Sequence, residues 1–170
     1  LARLAAGTLL NHVLPHQGRL GLLATMLRLY ERTGMQAIVR RARLLRLVST
    51  GLAELERSSP SIHGGSFKAR GQVAPPAGEK RARVALLSGC VMPVVHGPAM
   101  DAVTRVLARN GCEVVVTRDQ ACCGAIHSHV GDLEAARDLA RRNIDAFMAD
   151  GVDAVINASA GCGTRLKEYG

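Results

Sequence analysis

The stretch "RDQACCGAIHSH", residues 118–129, sets Cys122 and Cys123 side by side ahead of Gly124, His127 and His129. Adjacent cysteines rarely join each other, because the small ring they would close strains disulfide geometry. Cys90, in "LLSGC", and Cys162, in "NASAGC", also follow a glycine. Five cysteines, an odd number, with no secretory signal pattern point to a reducing compartment. There, clustered thiols serve as metal or redox ligands more often than as a disulfide framework.

The elements around them decide whether these thiols can meet. From Arg83, short apolar runs alternate with helical patterns. "RVALLSG" reads as a buried strand. "PAMDAVTRVLARNG" reads as a helix, with Pro98 at its first position, Met100, Val103 and Leu107 on one face, and Gly111 as the stop. "CEVVVT" is a β-branched strand. "GDLEAARDLARRNIDAFMADG" is a second helix, with Leu133, Ala136, Ala140, Ile144, Phe147 and Met148 as its apolar side. "VDAVINAS" is a third strand. This order predicts an α/β fold: a doubly wound parallel sheet, β-α-β-α-β, buried on both faces.

On that scheme Cys90 follows the first strand, Cys122 and Cys123 the second, and Cys162 the third. All four lie beyond carboxyl ends, which in a parallel sheet share one edge, the edge where open α/β sheets bind ligands. Cys112 precedes its strand, so it belongs at the opposite edge as a small apolar residue. A tetrathiolate site suits an iron–sulfur cluster or zinc. Gly89, Gly124, Gly161 and Gly163 would let backbone approach it closely.

The rest of the chain is different in kind. Residues 1–57 read as helices, in "GLLATMLRLYERTG" up to Gly34 and then in "MQAIVRRARLLRLVSTGLAEL". Residues 58–82, rich in Ser, Gly and Pro, read as a linker, and residues 83–170 as the α/β domain, truncated at its C-terminal end. The chain opens on Leu1 and closes on a helix start, so it is expected to be a piece of a longer protein. Residues 1–83 hold 14 Lys and Arg against 4 Asp and Glu, whereas residues 84–170 hold 8 against 10. The basic helices around 38–46 are thus candidates for contact with partner subunits or an anionic membrane surface. Aromatic residues make up 2% with no Trp, which argues against a base-stacking nucleic-acid surface. No apolar run is long enough to span a bilayer.

The spacing Cys90-x31-Cys122-Cys123-Gly124 resembles the CCG cysteine-rich domain of the heterodisulfide reductase B-subunit type. That pattern ends in a C-x-x-C pair, and here Ser159-Ala160-Gly161-Cys162 stands in its place, with Ser159 where the first cysteine would be. Together with "GCVMPVVHGPAMDAVTRVLARNGCEVVV" and "NASAGCGTRLKEYG", this resembles the iron–sulfur subunits of glycolate oxidase (glycolate dehydrogenase). The resemblance implies an electron-transfer subunit with no catalytic residue of its own. Cys90, Cys122, Cys123 and Cys162 would hold a [4Fe–4S] cluster, with zinc as the alternative. It implies FAD on partner subunits that oxidise glycolate, with electrons passed on to an acceptor such as quinone. It also implies a cytoplasmic location, free or peripheral on the cytoplasmic membrane. The five-cysteine noncubane cluster of a heterodisulfide-cleaving enzyme is disfavoured by Ser159. A structural zinc module remains the other reading.

His96, His127 and His129 are expected near the same sheet edge. His127 is the candidate for a hydrogen bond to cluster sulfur, with loop packing as the plainer role. His12, His16 and His63 have no constellation around them. Asp101, Asp119 and Asp132 are read as caps or solvated carboxylates.

Overall fold

The computed structural model describes residues 12–14, 16–58, 62, 65–68 and 70–169. Expectations for residues 1–11, for His63 and for parts of the 58–82 segment lie outside these.

Three β-rich runs form the sheet: β2 (Ala82–Leu87), β3 (Cys112–Val115) and β4 (Ala154–Asn157). β2 is central and parallel to both neighbours, with Val84 opposite Val114 on one side and Ala154 on the other. A short edge strand, β1 (Val73–Ala74), runs antiparallel to β3, with Val73 opposite Val115. The order across the sheet is β1-β3-β2-β4. β1 corrects the reading of 58–82 as linker. So do Ile62 and Phe67, both buried. A two-residue strand is too short for period-two alternation to show in a Ser/Gly/Pro-rich stretch.

Alternate residues of β2 feed two cores, as the pleat requires. Val84 and Leu86 meet Met100, Val103 and Leu107 of α6 (Gly97–Arg109), which follows the short α5 (Met92–Val95). Ala85 and Leu87 meet Phe147 and Leu139 of α8 (Leu133–Ala149), which follows the short α7 (Ala125–His129). The crossover helices therefore cover opposite faces, and the sheet is doubly wound. Asp132 caps α8 by accepting from Ala135 N–H at 3.3 Å.

The buried stripe of α8 is Ala136, Ala140, Asn143, Ala146 and Phe147. Leu133, Ile144 and Met148, expected inside, are 49%, 40% and 76% exposed. The helix is rolled so that small residues and a buried amide face the CC turn, which brings its backbone close.

The helical segment is also more broken than its pattern suggests. α1 (Gln17–Arg32) ends as expected, with Gly34 left-handed at φ +73°. The run after it divides into α2 (Met35–Arg41), α3 (Leu44–Val48) and α4 (Thr50–Ser58). The breaks fall at Arg43, with φ +53°, and at extended Ser49. They return α4 towards α2, where Arg40 pairs with Glu56 at 2.9 Å. α1 docks on the α/β unit through Ala24, Ile62 and Val94, and Arg28 donates to Val94 O at 2.8 Å.

Candidate metal centre

The chain leaves β2 towards β3 on one side and later enters β4 on the other. The crevice between the carboxyl ends of β2 and β4 is therefore a topological switch point. Cys90 lies just past β2, and Cys162 lies in the first turn of α9 (Ala160–Lys167), just past β4. The turn after β3 carries Cys122 and Cys123 into the same core as Cys90, with Cys162 packed against it. Cys90, Cys122 and Cys123 are buried and Cys162 is partly so. None of the five cysteines is in a disulfide. Cys112 opens β3 opposite Ala82, at the far end of the sheet, and packs half-buried against the α6 side.

The four thiols lie in one cluster. Cys122 donates to Cys90 across 3.5 Å, Cys123 is its neighbour in the chain, and Cys162 packs against the same core. Their mutual contacts order their acidities. The bond from Cys122 holds the Cys90 thiol below its ordinary value, against burial. Cys122 is eased by the bond from Cys123, but its own bond to Cys90 and burial push it up to about 11. Cys123 is raised by its bond to Cys122, and Cys162 by its bond to Cys123 and by burial. Four crowded, desolvated thiols resist ionising together, and a cation among them reverses that.

Backbone amides point at the sulfurs. Val91 N–H faces Cys90, Gly124 N–H faces Cys122 and Ala125 N–H faces Cys123. The Ser159 hydroxyl reaches Cys162. Such donors stabilise metal-bound thiolate. Gly124 makes the CC turn possible: it is left-handed at φ +80°, and a Cβ there would stand 3.1 Å from Ala136 O. Gly161 has no neighbour that needs its smallness, contrary to the expectation for that position.

The donor chemistry fits an iron–sulfur cluster: four soft thiolates, dry surroundings and amide donors to sulfur. A single zinc ion asks for something else. With Zn–S of about 2.3 Å, all four sulfurs must lie about 3.8 Å apart in every pair. Among the described residues, no group of three or more His, Cys, Asp or Glu closes round one ion.

The histidines separate. His127 is 1% exposed, and its Nδ1 is buried without a hydrogen-bond partner. His96 and His129 are exposed. Sequence reasoning missed Gln120 and Asn143, 1% and 0% exposed, which bond to the cysteine loops. Only their places, two residues before the CC pair and on the helix after it, could have hinted at them.

The profile of the cysteine-rich domain family, CCG, matches residues 84–167. That match covers the α/β unit, which is therefore similar to the CCG cysteine-rich domains. Residues 1–58 match the profile for the linker region of the glycolate oxidase iron–sulfur subunit. The two matches follow one another along the chain. The chain is 37% identical, over 98% of its length, to a probable glycolate oxidase iron–sulfur subunit of Bacillus subtilis, of which it spans 38%. It is 38% identical, over 56% of its length, to the glycolate oxidase iron–sulfur subunit of Escherichia coli, of which it spans 24%. Over 69% of its length it is 32% identical to one subunit of a fumarate reductase (CoM/CoB) from Methanothermobacter marburgensis, of which it spans 22%. No solved structure gives a significant match.

Proposed function

We propose that this chain belongs to the iron–sulfur electron-transfer subunit of a flavin-dependent glycolate oxidase complex, and that Cys90, Cys122, Cys123 and Cys162 hold a [4Fe–4S] cluster. The observation that carries the reading is the meeting of four thiols from three strand ends at the switch point of the sheet. A cluster held there would cycle by one electron, linking a two-electron flavin to an acceptor such as quinone. This chain's part is to supply thiolates, to aim amide N–H groups at them and to keep water out. Glycolate oxidation is assigned to FAD on the partner subunits.

The helical segment would form the contact with those subunits. Leu22, Met26, Leu29, Ile38 and Val48 are exposed there, alongside Arg40, Arg41, Arg43 and Arg46. Among the described residues no helix is long and apolar enough to cross a membrane. Unbridged cysteines suit a reducing cytoplasm, which is the location proposed. Salt-sensitive co-sedimentation with anionic vesicles would move that contact to the membrane surface instead.

The test is anaerobic purification of the full-length subunit with iron and acid-labile sulfide assays and EPR of the reduced protein. Iron and sulfide that disappear with Cys90→Ala or Cys122→Ala are expected at this site. A folded subunit whose iron and sulfide survive both substitutions would refute the assignment.

A further inference from the structure

Two buried amides outside the ligand set tie the cysteine loops together. The β2–β3 ladder ends at Ala85 opposite Val115. Beyond it, backbone pairing no longer sets how far the Cys90 and Cys122 loops stand apart. The Gln120 side chain spans that gap. Its Oε1 accepts from Ser88 N–H at 2.7 Å and Ser88 Oγ–H at 3.1 Å. Its Nε2 donates to Leu86 O at 3.2 Å and Thr117 O at 2.9 Å. Both lone pairs and both protons of the carboxamide are used, on the two strands that lead into the two cysteines.

Asn143 does the same from α8. Its Oδ1 accepts from Ala121 N–H at 2.7 Å, and its Nδ2 donates to Cys122 O at 3.0 Å and Tyr169 Oη at 3.0 Å. The Tyr169 hydroxyl donates in turn to Cys123 O at 2.9 Å. Tyr169 follows the helix that carries Cys162. One amide therefore joins the CC turn to α8 and, through a phenol, to the Cys162 arm. Buried networks with this much of their hydrogen-bonding capacity used are rigid.

We propose that Gln120 and Asn143 are the positioning residues of the cluster site. Gln120 sets the separation of the Cys90 and Cys122 loops, and Asn143, with Tyr169, sets the Cys162 arm against the CC turn. The protein, and not the metal alone, then fixes the sulfur geometry. This rests on the iron–sulfur reading. Geometry and hydrogen bonding at the thiolates tune a cluster's electronic signature and potential.

The experiment compares Gln120→Met and Asn143→Leu in the full-length subunit. Both are uncharged and similar in size to what they replace. Met100→Ala, fully buried on the opposite face of the sheet, serves as the control for lost stability. At equal iron occupancy, EPR g-values and the midpoint potential are measured together with Tm. Both amide variants are expected to shift g-values and potential, whereas Met100→Ala lowers Tm alone. Unshifted spectra and potential in both amide variants overturn the proposal, as does an equal shift in Met100→Ala. If the amide variants do not fold, Ser88→Ala removes one bond to Gln120 and Tyr169→Phe removes the two made by the phenol, and unchanged signatures in both overturn it. Absence of iron and sulfide from the wild type overturns the iron–sulfur reading itself, a separate result.

Discussion

Replacing Gly124 with alanine tests how the CC turn is made. Gly124 has φ +80° at the start of α7. A non-glycine residue held left-handed costs about 1–2 kcal/mol. The added Cβ would also lie 3.1 Å from Ala136 O and 3.3 Å from Ala136 Cα. Those are backbone atoms of a fully buried residue on α8, so no side chain can swing aside. Overpacking of this kind costs about 1–3 kcal/mol. The sum is about 2–5 kcal/mol, a large share of a domain's usual 5–15 kcal/mol or so. Urea unfolding of the full-length subunit reads the loss as a lower midpoint, with iron content measured beside it. Gly124→Asn separates the two causes, because asparagine tolerates the left-handed region and carries the same Cβ. If backbone strain dominates, Asn is the milder change; if Ala136 dominates, the two match. A Gly124→Ala subunit within about 0.5 kcal/mol of wild type, with its iron retained, would show that the turn does not depend on glycine.

Four further outcomes are expected. Cys162→Ser should strip or convert the cluster, whereas Cys112→Ser, at the far end of the sheet, should leave iron and sulfide content unchanged. Gly97→Ala should destabilise more than Gly124→Ala, because its Cβ would fall 2.1 Å from Gly65 O and 2.7 Å from Phe67 N; an unshifted thermal melt would contradict the packing of α6 on the 65–67 segment. Met100→Ala, 0% exposed, should cost about 2–5 kcal/mol by denaturant unfolding. Glu113 has its acidity raised by the hydrogen bond from Lys80 and, against desolvation, by Arg83. Its folded pKa is therefore depressed, so its contribution is present above the ordinary glutamate range near about pH 4.3. That contribution is lost as pH falls through the lower folded-state value. The stability gap between wild type and Glu113→Gln should accordingly close in acid, and a gap that widens there would reverse the sign of this linkage.

The chemistry of the site was legible before the fold was. Cys90, Cys122, Cys123 and Cys162 each follow an apolar strand pattern, and a parallel sheet has only one edge for strand ends. That topological fact brings residues tens of positions apart to one point, where Cys90, Cys122 and Cys123 share one core and Cys162 packs against it. The α6 face of Met100, Val103 and Leu107 was equally plain, because helical period and burial agree there. Where two apolar stripes compete on one helix, as on α8, period cannot say which is buried. The roll of the helix is set by what it packs against, and here Ala136 under Gly124 and Asn143 under the CC turn decide it.

The sequence by itself determined the α/β class, the alternation of strands and helices from Arg83 onward and the placing of four cysteines after strand ends, because these depend on local period and residue type. Only the tertiary structure decided the contact of Cys122 with Cys90, the edge strand at Val73–Ala74, the breaks at Arg43 and Ser49, and the bonds of Gln120 and Asn143. A glutamine or asparagine looks the same in a sequence whether it is solvated or spends every hydrogen bond inside. That difference arises only when the backbone groups it must satisfy are brought to it by folding.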